Sequence, residues 1–558
     1  MHKTMDDTLN RRVGIRRATE PVSSPARPPE YAGLNTFASD PVLAATLDSA
    51  LDEAGEDHLK AIGAYWGSAE AQEVARIAAA CPPQLRRTDF DGYRVDQLEI
   101  HPAYHALMNR SVTAGLASSA WEDGDDRRQH RMRAAVLYLT AQCDRGHLTQ
   151  VCATHASVAA LAYASDLESE LFPLVATRRY DRKPAALSEK GGATITLALT
   201  ERDSCADRSA VAMRGEVVAG DRLRLAGDKW FVCAPAADVA LVLARTIEGP
   251  TAAMVPRYGP ENADTITIEA LRDVGGLASQ AVASLSFQGA TGRILGEPGR
   301  GLHVLRDVRT LLQLDSTIVA AGAMRAAVGR AVHHARYRES FGKLLVSHPL
   351  HARLLADLAL ESAAHTALAM RVAAGFDQAF ERDGDHALAR LVTPAARFYT
   401  MTVAPQVALA CTEAIGGAAF DALHPAARLH ADLTALAQWD GTANEAAMDL
   451  VMQVDRDKAV LQDALGELGA DLGNANADLI EDTLELGERA AGDASLARAF
   501  AEQLAMVAAA SAMRRNLPRV IADAYIATRL RERFRAGFGT LDGRFDAAAI
   551  LDFIVPED

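Results

Sequence analysis

The sequence predicts a mainly α protein with a central β-domain, and three observations carry that prediction. Alanine is used heavily while aromatic residues make up only 5% of 558, which favours helix packing over an all-β fold. Long apolar-periodic runs occupy both ends of the chain. Between them, short runs rich in β-branched or alternating residues are punctuated by Gly, Asp and Pro. The length exceeds one compact core, so several domains are expected.

Residues 1–38 carry Arg, Pro and Ser without periodicity and read as a flexible arm. Residues 39–190 read as a helical domain: Ser39 or Asp40 can cap a segment from Pro41 to Glu56, and Arg133–Cys143 and Leu148–Leu167 follow. Residues 191–300 hold seven strand-like runs, from Thr194–Leu199 to Ser284–Phe287, which suggest a small antiparallel barrel or sandwich. From residue 301 the chain returns to long helices (Leu305–Arg338, Leu350–Phe376, Asp385–Ala414 and Asn444–Leu465), and residues 301–460 read as a four-helix bundle. Residues 461–558 form a further helical block whose one strand-like run is Ile550–Ile554.

A net charge of −15 argues against the whole molecule being a nucleic-acid binder. The exception is local: residues 511–535 hold seven Arg against two acids, with Arg529 and Arg531 as candidate phosphate contacts. The plainer reading of that run is a solvated, ion-paired helix face. Six Cys without metal-like spacing read as reduced thiols in a cytoplasmic protein. Apolar runs fall short of a bilayer span and the N-terminus lacks an apolar signal core, so neither membrane insertion nor secretion is expected. His101 and His105 have the spacing of a metal pair, but no third ligand is apparent and Pro102 interrupts the helix start, so they read as structural and no metal is expected.

Five segments stand out. Leu199-Thr200-Glu201 closes the first strand of the β-domain, and Gly227-Asp228-Lys229-Trp230-Phe231-Val232-Cys233 lies within it. Arg338-Glu339-Ser340-Phe341-Gly342 ends the first long bundle helix. Gly416-Gly417 and Asp440-Gly441-Thr442-Ala443-Asn444 lie near its close. Taken singly they are a strand exit, a core aromatic pair, a helix C-cap, a helix end and a turn. Their order and spacing carry more than any one of them.

Together they resemble the acyl-CoA dehydrogenase flavoproteins, and the extra C-terminal block is similar to that family's longer AidB-like branch, named for an alkylation-response protein. The resemblance implies the acyl-CoA dehydrogenase fold and FAD as cofactor. Asp440 stands at the family's catalytic base, where Glu is usual; Asp reaches roughly 1.5 Å less. Thr442 and Asn444 would hold FAD, Thr200 would open the loop against the flavin, and Phe231 would cover its ring. Cys233 replaces a hydroxyl near the flavin nitrogen that accepts hydride. Arg338 and Phe341 would reach FAD phosphate and adenine across a subunit interface, and Gly416 and Gly417 would let a neighbour's cofactor approach the backbone. A second base position used by some members falls near Leu312 and Gln313, neither of which is a base, with Asp315 close by.

The implied function is an FAD-dependent oxidoreductase. It would pass a proton to a carboxylate and a hydride to flavin, on a non-standard acyl, amino or other small substrate in specialised metabolism. Implied too is a homo-oligomer, dimer or tetramer with the tetramer favoured in this branch, sharing FAD sites. The alternative is an FAD-containing, DNA-binding protective protein with weak dehydrogenase activity.

Overall fold

The computed structural model describes residues 28–47, 51–122, 128–204, 207–262, 264–379, 387–422, 424–531, 538 and 545–556. The N-terminal domain is helical, with α1 (Pro41–Leu47), α2 (Glu53–Trp66) and α3 (Ala69–Ala80). Asp40 caps α1 by accepting the Leu43 N–H at 3.0 Å, and its carboxylate also takes the Tyr138 hydroxyl at 2.8 Å and pairs with Arg325 at 3.2 Å. Residues 28–38, expected in the flexible arm, are packed: Phe37 is buried, Gly33 N–H donates to Gly67 O, and His333 bonds the Pro29 carbonyl. Residues 1–27 of that arm lie outside the described residues.

A hairpin of β1 (Gln84–Thr88) and β2 (Arg94–Glu99) interrupts the helices where none was expected. Its strands alternate charged with few apolar residues, so no period-two apolar signal marks them. Then come α4 (Pro102–Thr113), α5 (Gln129–Ala141), α6 (Leu148–Ser157) and α7 (Ser165–Val175). His101 caps α4 through Nδ1 on the Ala103 N–H, and His105 bonds the Tyr180 hydroxyl, so both are structural.

The β-domain holds β3 (Ile195–Ala198), β4 (Arg214–Ala219), β5 (Arg222–Cys233), β6 (Val239–Thr246), β7 (Gly249–Pro256), β8 (Ile266–Leu271) and β9 (Val282–Ile294). Strands β6, β7, β9, β5 and β4 pair in a closed ring, and β8 adds to β9. The ring is not wholly antiparallel as expected, because β3 and β4 each pair with β6 in parallel. The long excursion between β3 and β6 supplies the crossover that parallel pairing needs.

The bundle comprises α8 (Gly301–Tyr337), α9 (Pro349–Ala379), α10 (Ala387–Ile415), α11 (Pro425–Leu436) and α12 (Ala443–Arg456), with the small hairpin β10–β11 (Glu339–Ser340 and Lys343–Leu344) after α8. Helix α8 has the length and apolarity to cross a membrane, and its most apolar window is wholly buried inside the protein, as a core helix is. The continuous helix expected from Asn444 breaks at Asp457, whose carboxylate caps α13 (Lys458–Leu472) on the Ala459 N–H. The boundary expected at 460 therefore falls inside a helix. Helices α14 (Ala477–Gly492), α15 (Ala497–Asn516), α16 (Arg519–Tyr525) and α17 (Ala547–Ile554) complete the chain, with a π-helical turn at Ile526–Arg531. The strand-like run at 550–554 is thus helical; Asp546 caps it on two backbone N–H groups.

Candidate functional site

The turn between α11 and α12 carries Asp440, Gly441 and Thr442. Thr442 caps α12 in a reciprocal capping box: its hydroxyl takes the Glu445 N–H at 3.2 Å and Glu445 takes the Thr442 N–H at 2.6 Å. Gly441 sits at φ +128°, and a Cβ there would lie 2.7 Å from Glu445 Oε2, so the turn requires glycine. The other Glu445 oxygen accepts Arg208 Nη1 at 2.9 Å. Arg208 belongs to the loop after β3, which Glu201 folds back onto the barrel by accepting the Ala212 and Met213 N–H groups and Lys229 Nζ at 2.6 Å. The Thr200 carbonyl accepts the Trp230 N–H at 2.8 Å, so the barrel loop, its strand and the α12 turn form one connected unit. Asn444 accepts from Arg498 Nη1 at 2.9 Å.

Asp440 is buried in an ion pair. Its Oδ1 accepts Arg397 Nε at 2.8 Å and Nη2 at 2.5 Å, and both side chains are about 1% exposed. Arg397 also donates to the Ala437 and Gly441 carbonyls, which fixes the turn. Among the described residues, the one hydrogen-bond partner of Oδ2 is the Ser316 hydroxyl, at 3.4 Å, and that hydroxyl also reaches the Gln313 carbonyl at 3.0 Å. Arg397 Nη1 is buried without a hydrogen bond. Asp315 is no substitute base. Burial opposes its charge, but Arg133 (2.5 and 2.8 Å) and His155 (3.1 Å) hold it well below the usual carboxylate range. Gln313 bonds Asp449.

At the barrel end, Phe231 is 49% exposed with φ +54°. A register shift between Lys229 and Val232 accompanies it, a bulge that turns the ring outward. The neighbouring Trp230 ring lies beneath Arg272, 3.7 Å from its centroid, and also beside Arg202. The Cys233 carbonyl accepts the Thr196 hydroxyl, and burial pushes the thiol up to about 12.

At the far end, Arg338 caps α8 with its N–H on the His334 carbonyl at 2.9 Å. Phe341 (φ +51°) and Gly342 (φ +75°) form the two-residue turn of the β10–β11 hairpin, a left-handed pair that tightens hairpins but strains a Phe. The Phe341 ring is 95% exposed. Gly416, at φ +100°, ends α10, and a Cβ on it or on Gly417 would meet nothing within 4 Å. The positions that the resemblance assigns to FAD carry exposed rings at Phe231 and Phe341 and open space above Gly416 and Gly417, which leaves room there for a flat ring system.

The Arg-rich block is largely ion-paired. Arg529, read from sequence as a candidate phosphate contact, points inward to Asp357 (2.7 Å) and Glu361 (2.8 Å) and is only 14% exposed. Arg531 pairs with Asp478 and Arg514 with Asp523. Arg533 and Arg535 lie outside the described residues. Sequence reasoning missed Arg397, Ser316, Arg208 and Glu445. A lone Arg in the apolar run Val392–Tyr399 was the available signal for the first.

The model of the adaptive response protein AidB N-terminal domain matches residues 26–182, and that of the acyl-CoA dehydrogenase C-terminal domain matches 299–454. The putative acyl-CoA dehydrogenase AidB of Escherichia coli K12 is 31% identical over 437 residues, 78% of this chain and 80% of that protein. Caenorhabditis elegans acyl-CoA dehydrogenase family member 11 is 25% identical over 439 residues, 75% of this chain and 70% of that protein. The crystal structure of Caenorhabditis elegans ACDH-11 in complex with C11-CoA shares the fold, with a TM-score of 0.81 at 20% identity over 98% of this chain and 94% of that one. The chain therefore belongs to the acyl-CoA dehydrogenase family, in its AidB-like branch, and is an FAD-dependent dehydrogenase.

Proposed function

We propose that the chain oxidises a small acyl-type substrate by passing a proton to Asp440, in a homo-oligomer whose subunits share FAD sites. The observation that carries this is the Arg208–Glu445 pair, which joins the barrel loop after Thr200 to the turn bearing Asp440. FAD, when bound, supplies the hydride acceptor. The chain supplies the base and its aim. Arg397 occupies Oδ1 of Asp440, so Oδ2, held weakly by Ser316, is the oxygen free to take a proton. Burial keeps bulk water from competing for it. An acyl thioester is the favoured substrate class, since the C. elegans relative of the same fold was crystallised with C11-CoA.

Sharing between subunits is supported by the exposed Phe341 and Phe420 rings and by the open space above Gly416 and Gly417. The five described cysteines are free thiols, in keeping with a cytoplasmic setting. The test is anaerobic flavin bleaching by candidate acyl thioesters, combined with sedimentation of the FAD-loaded protein. Bleaching by no acyl substrate would overturn the substrate class, and a monomer that retains FAD would overturn site sharing. The protective DNA-binding alternative gains nothing from Arg529, whose charge is spent inside the fold.

A further inference from the structure

Three helix ends meet beside the Phe341 turn: the last turns of α8 and the N-termini of α9 and α11, which pack on it. Each of those N-termini opens with a His-Pro pair, His348-Pro349 and His424-Pro425. His351 in the first turn of α9 and His424 at the cap of α11 stand close enough to His334 of α8 for their charges to act on it, as do Arg338 and His333. His334, His351 and His424 are all partly buried. The Phe341 ring meets His348 edge-on, with 6.3 Å between centroids.

Positive charge gathers here with little to cancel it. Arg330, one turn before His334, donates to the Gln72 side-chain oxygen at 3.0 Å, and its Nε is buried without a hydrogen bond. Arg428 donates to the Ala75 and Cys143 carbonyls, both at 2.9 Å. Among the described residues neither arginine makes an ion pair. Asp144, near Arg428, is already bonded to His147 at 2.7 Å, and Arg145, near Arg330, is paired with Asp432 at 2.5 Å. Asp421 pulls the other way at His424, against Arg330. His351 Nε2 is buried without a hydrogen bond.

Burial first, and then the charges of Arg338, His351, His424 and His333, hold His334 below the ordinary imidazole range. Burial and Arg330 do the same to His424, and burial and His348 to His351. These rings are therefore mostly neutral above pH 7, and an anion that cancels the repulsion draws protons onto them. The two helix N-termini favour an anion at the same place. FAD brings one, its doubly charged diphosphate.

We infer that His334, His351 and His424 receive the FAD diphosphate beside Arg338 and take up protons as they do so, which makes cofactor retention pH-dependent. The inference rests on the reading of Arg338 and Phe341 as cofactor contacts. Because binding raises the proton affinity of the histidines, FAD affinity climbs as pH falls through their bound-state value and levels off below their free-state value. Neither the diphosphate nor the flavin ring titrates between pH 6 and 8, so the protons go to the protein.

The test titrates FAD into the full-length protein stripped of cofactor, by calorimetry at pH 6, 7 and 8 in two buffers of different ionisation enthalpy, which counts the protons taken up. About one proton should be taken up near pH 7, and FAD should bind about tenfold or more tighter at pH 6 than at pH 8. His334→Gln, His351→Gln and His424→Asn, the last keeping an N-cap oxygen, should each lower the proton count and shrink that ratio, with little change in affinity at pH 8. FAD binding with no proton uptake would overturn the inference and leave the cofactor reading standing, and the parent protein alone decides this even where a variant fails to fold. Uptake unchanged in all three variants would also overturn it. Uptake seen only when octanoyl-CoA is added to the FAD-loaded protein would assign the cluster to the substrate's diphosphate instead. Failure to bind FAD at any pH would bring down the cofactor reading and the inference together.

Discussion

At Asp440 the carboxylate and its Arg397 partner are buried together and fixed by carbonyls of the same turn. At Phe341 and Gly417, some of the same cofactor's proposed contacts, the chain presents a 95% exposed ring and a backbone with nothing within 4 Å above it. The first end is organised by intrachain contacts. The second is left open by the chain's own contacts, as the proposed sharing of FAD sites between subunits requires. Substitutions at the first end should therefore cost both chemistry and folding, and substitutions at the second should spare folding and affect assembly and cofactor retention.

The largest effect is expected at Asp440. Asp440→Asn should slow anaerobic flavin bleaching by about 10²–10⁴-fold, the usual worth of a positioned base. It should also lower unfolding stability by up to about 3–5 kcal/mol, because Arg397 is left buried without its counter-charge. Rapid-mixing kinetics and urea unfolding separate the two losses. A destabilised variant that bleaches at the normal rate would make Asp440 an anchor of the turn and not the base.

Arg529 extends the comparison into the C-terminal block. Arg529→Met removes the buried cation that neutralises Asp357 and Glu361 and should destabilise by about 3–5 kcal/mol in urea. Arg531→Met removes a partly exposed pair with Asp478 and should change stability by about 1 kcal/mol or less. Equal effects would mean that the two arginines share one environment.

How much of this was legible in sequence follows from how local each signal is. The long helices and most barrel strands announce themselves through periodicity over consecutive residues. The β1–β2 hairpin and β4 did not, because their side chains are mostly exposed and carry no apolar alternation. The Asp440–Asn444 turn was readable because capping and glycine chemistry are local. Its Arg397 partner was not, since that contact depends on how α10 packs against a turn 43 residues later. Likewise an arginine count reveals charge but not direction, and Arg529 turns inward only because α9 offers two carboxylates.

The open end predicts smaller effects on folding. Gly417→Leu and Phe341→Ser should each leave urea unfolding of FAD-free protein within about 0.5 kcal/mol of the parent, since neither side chain would enter the core. FAD retention through gel filtration should nevertheless fall, by about tenfold in affinity for loss of one exposed aromatic anchor. Unchanged retention would mean that this end plays no part in cofactor binding.

The smallest effect is expected at Cys233, which lies between the two ends, and there pH is the readout. Burial pushes its thiol up to about 12 from an ordinary value of 9.0, so the folded state holds the proton more tightly than the unfolded chain does. That preference stabilises fully below about pH 9 and is lost as pH rises toward 12. Cys233→Ser removes the titration without changing the other buried thiols at Cys143, Cys152 and Cys411, whose own shifts cancel in the difference. The stability difference between parent and Ser variant should therefore be flat from pH 6 to 8.5. It should then move against the parent by no more than about 1 kcal/mol near pH 10, discounted for the residue's partial exposure. A difference that moves below pH 8 would mean a thiol of ordinary or depressed acidity, and with it a Cys233 environment set by a nearby positive charge and not by burial.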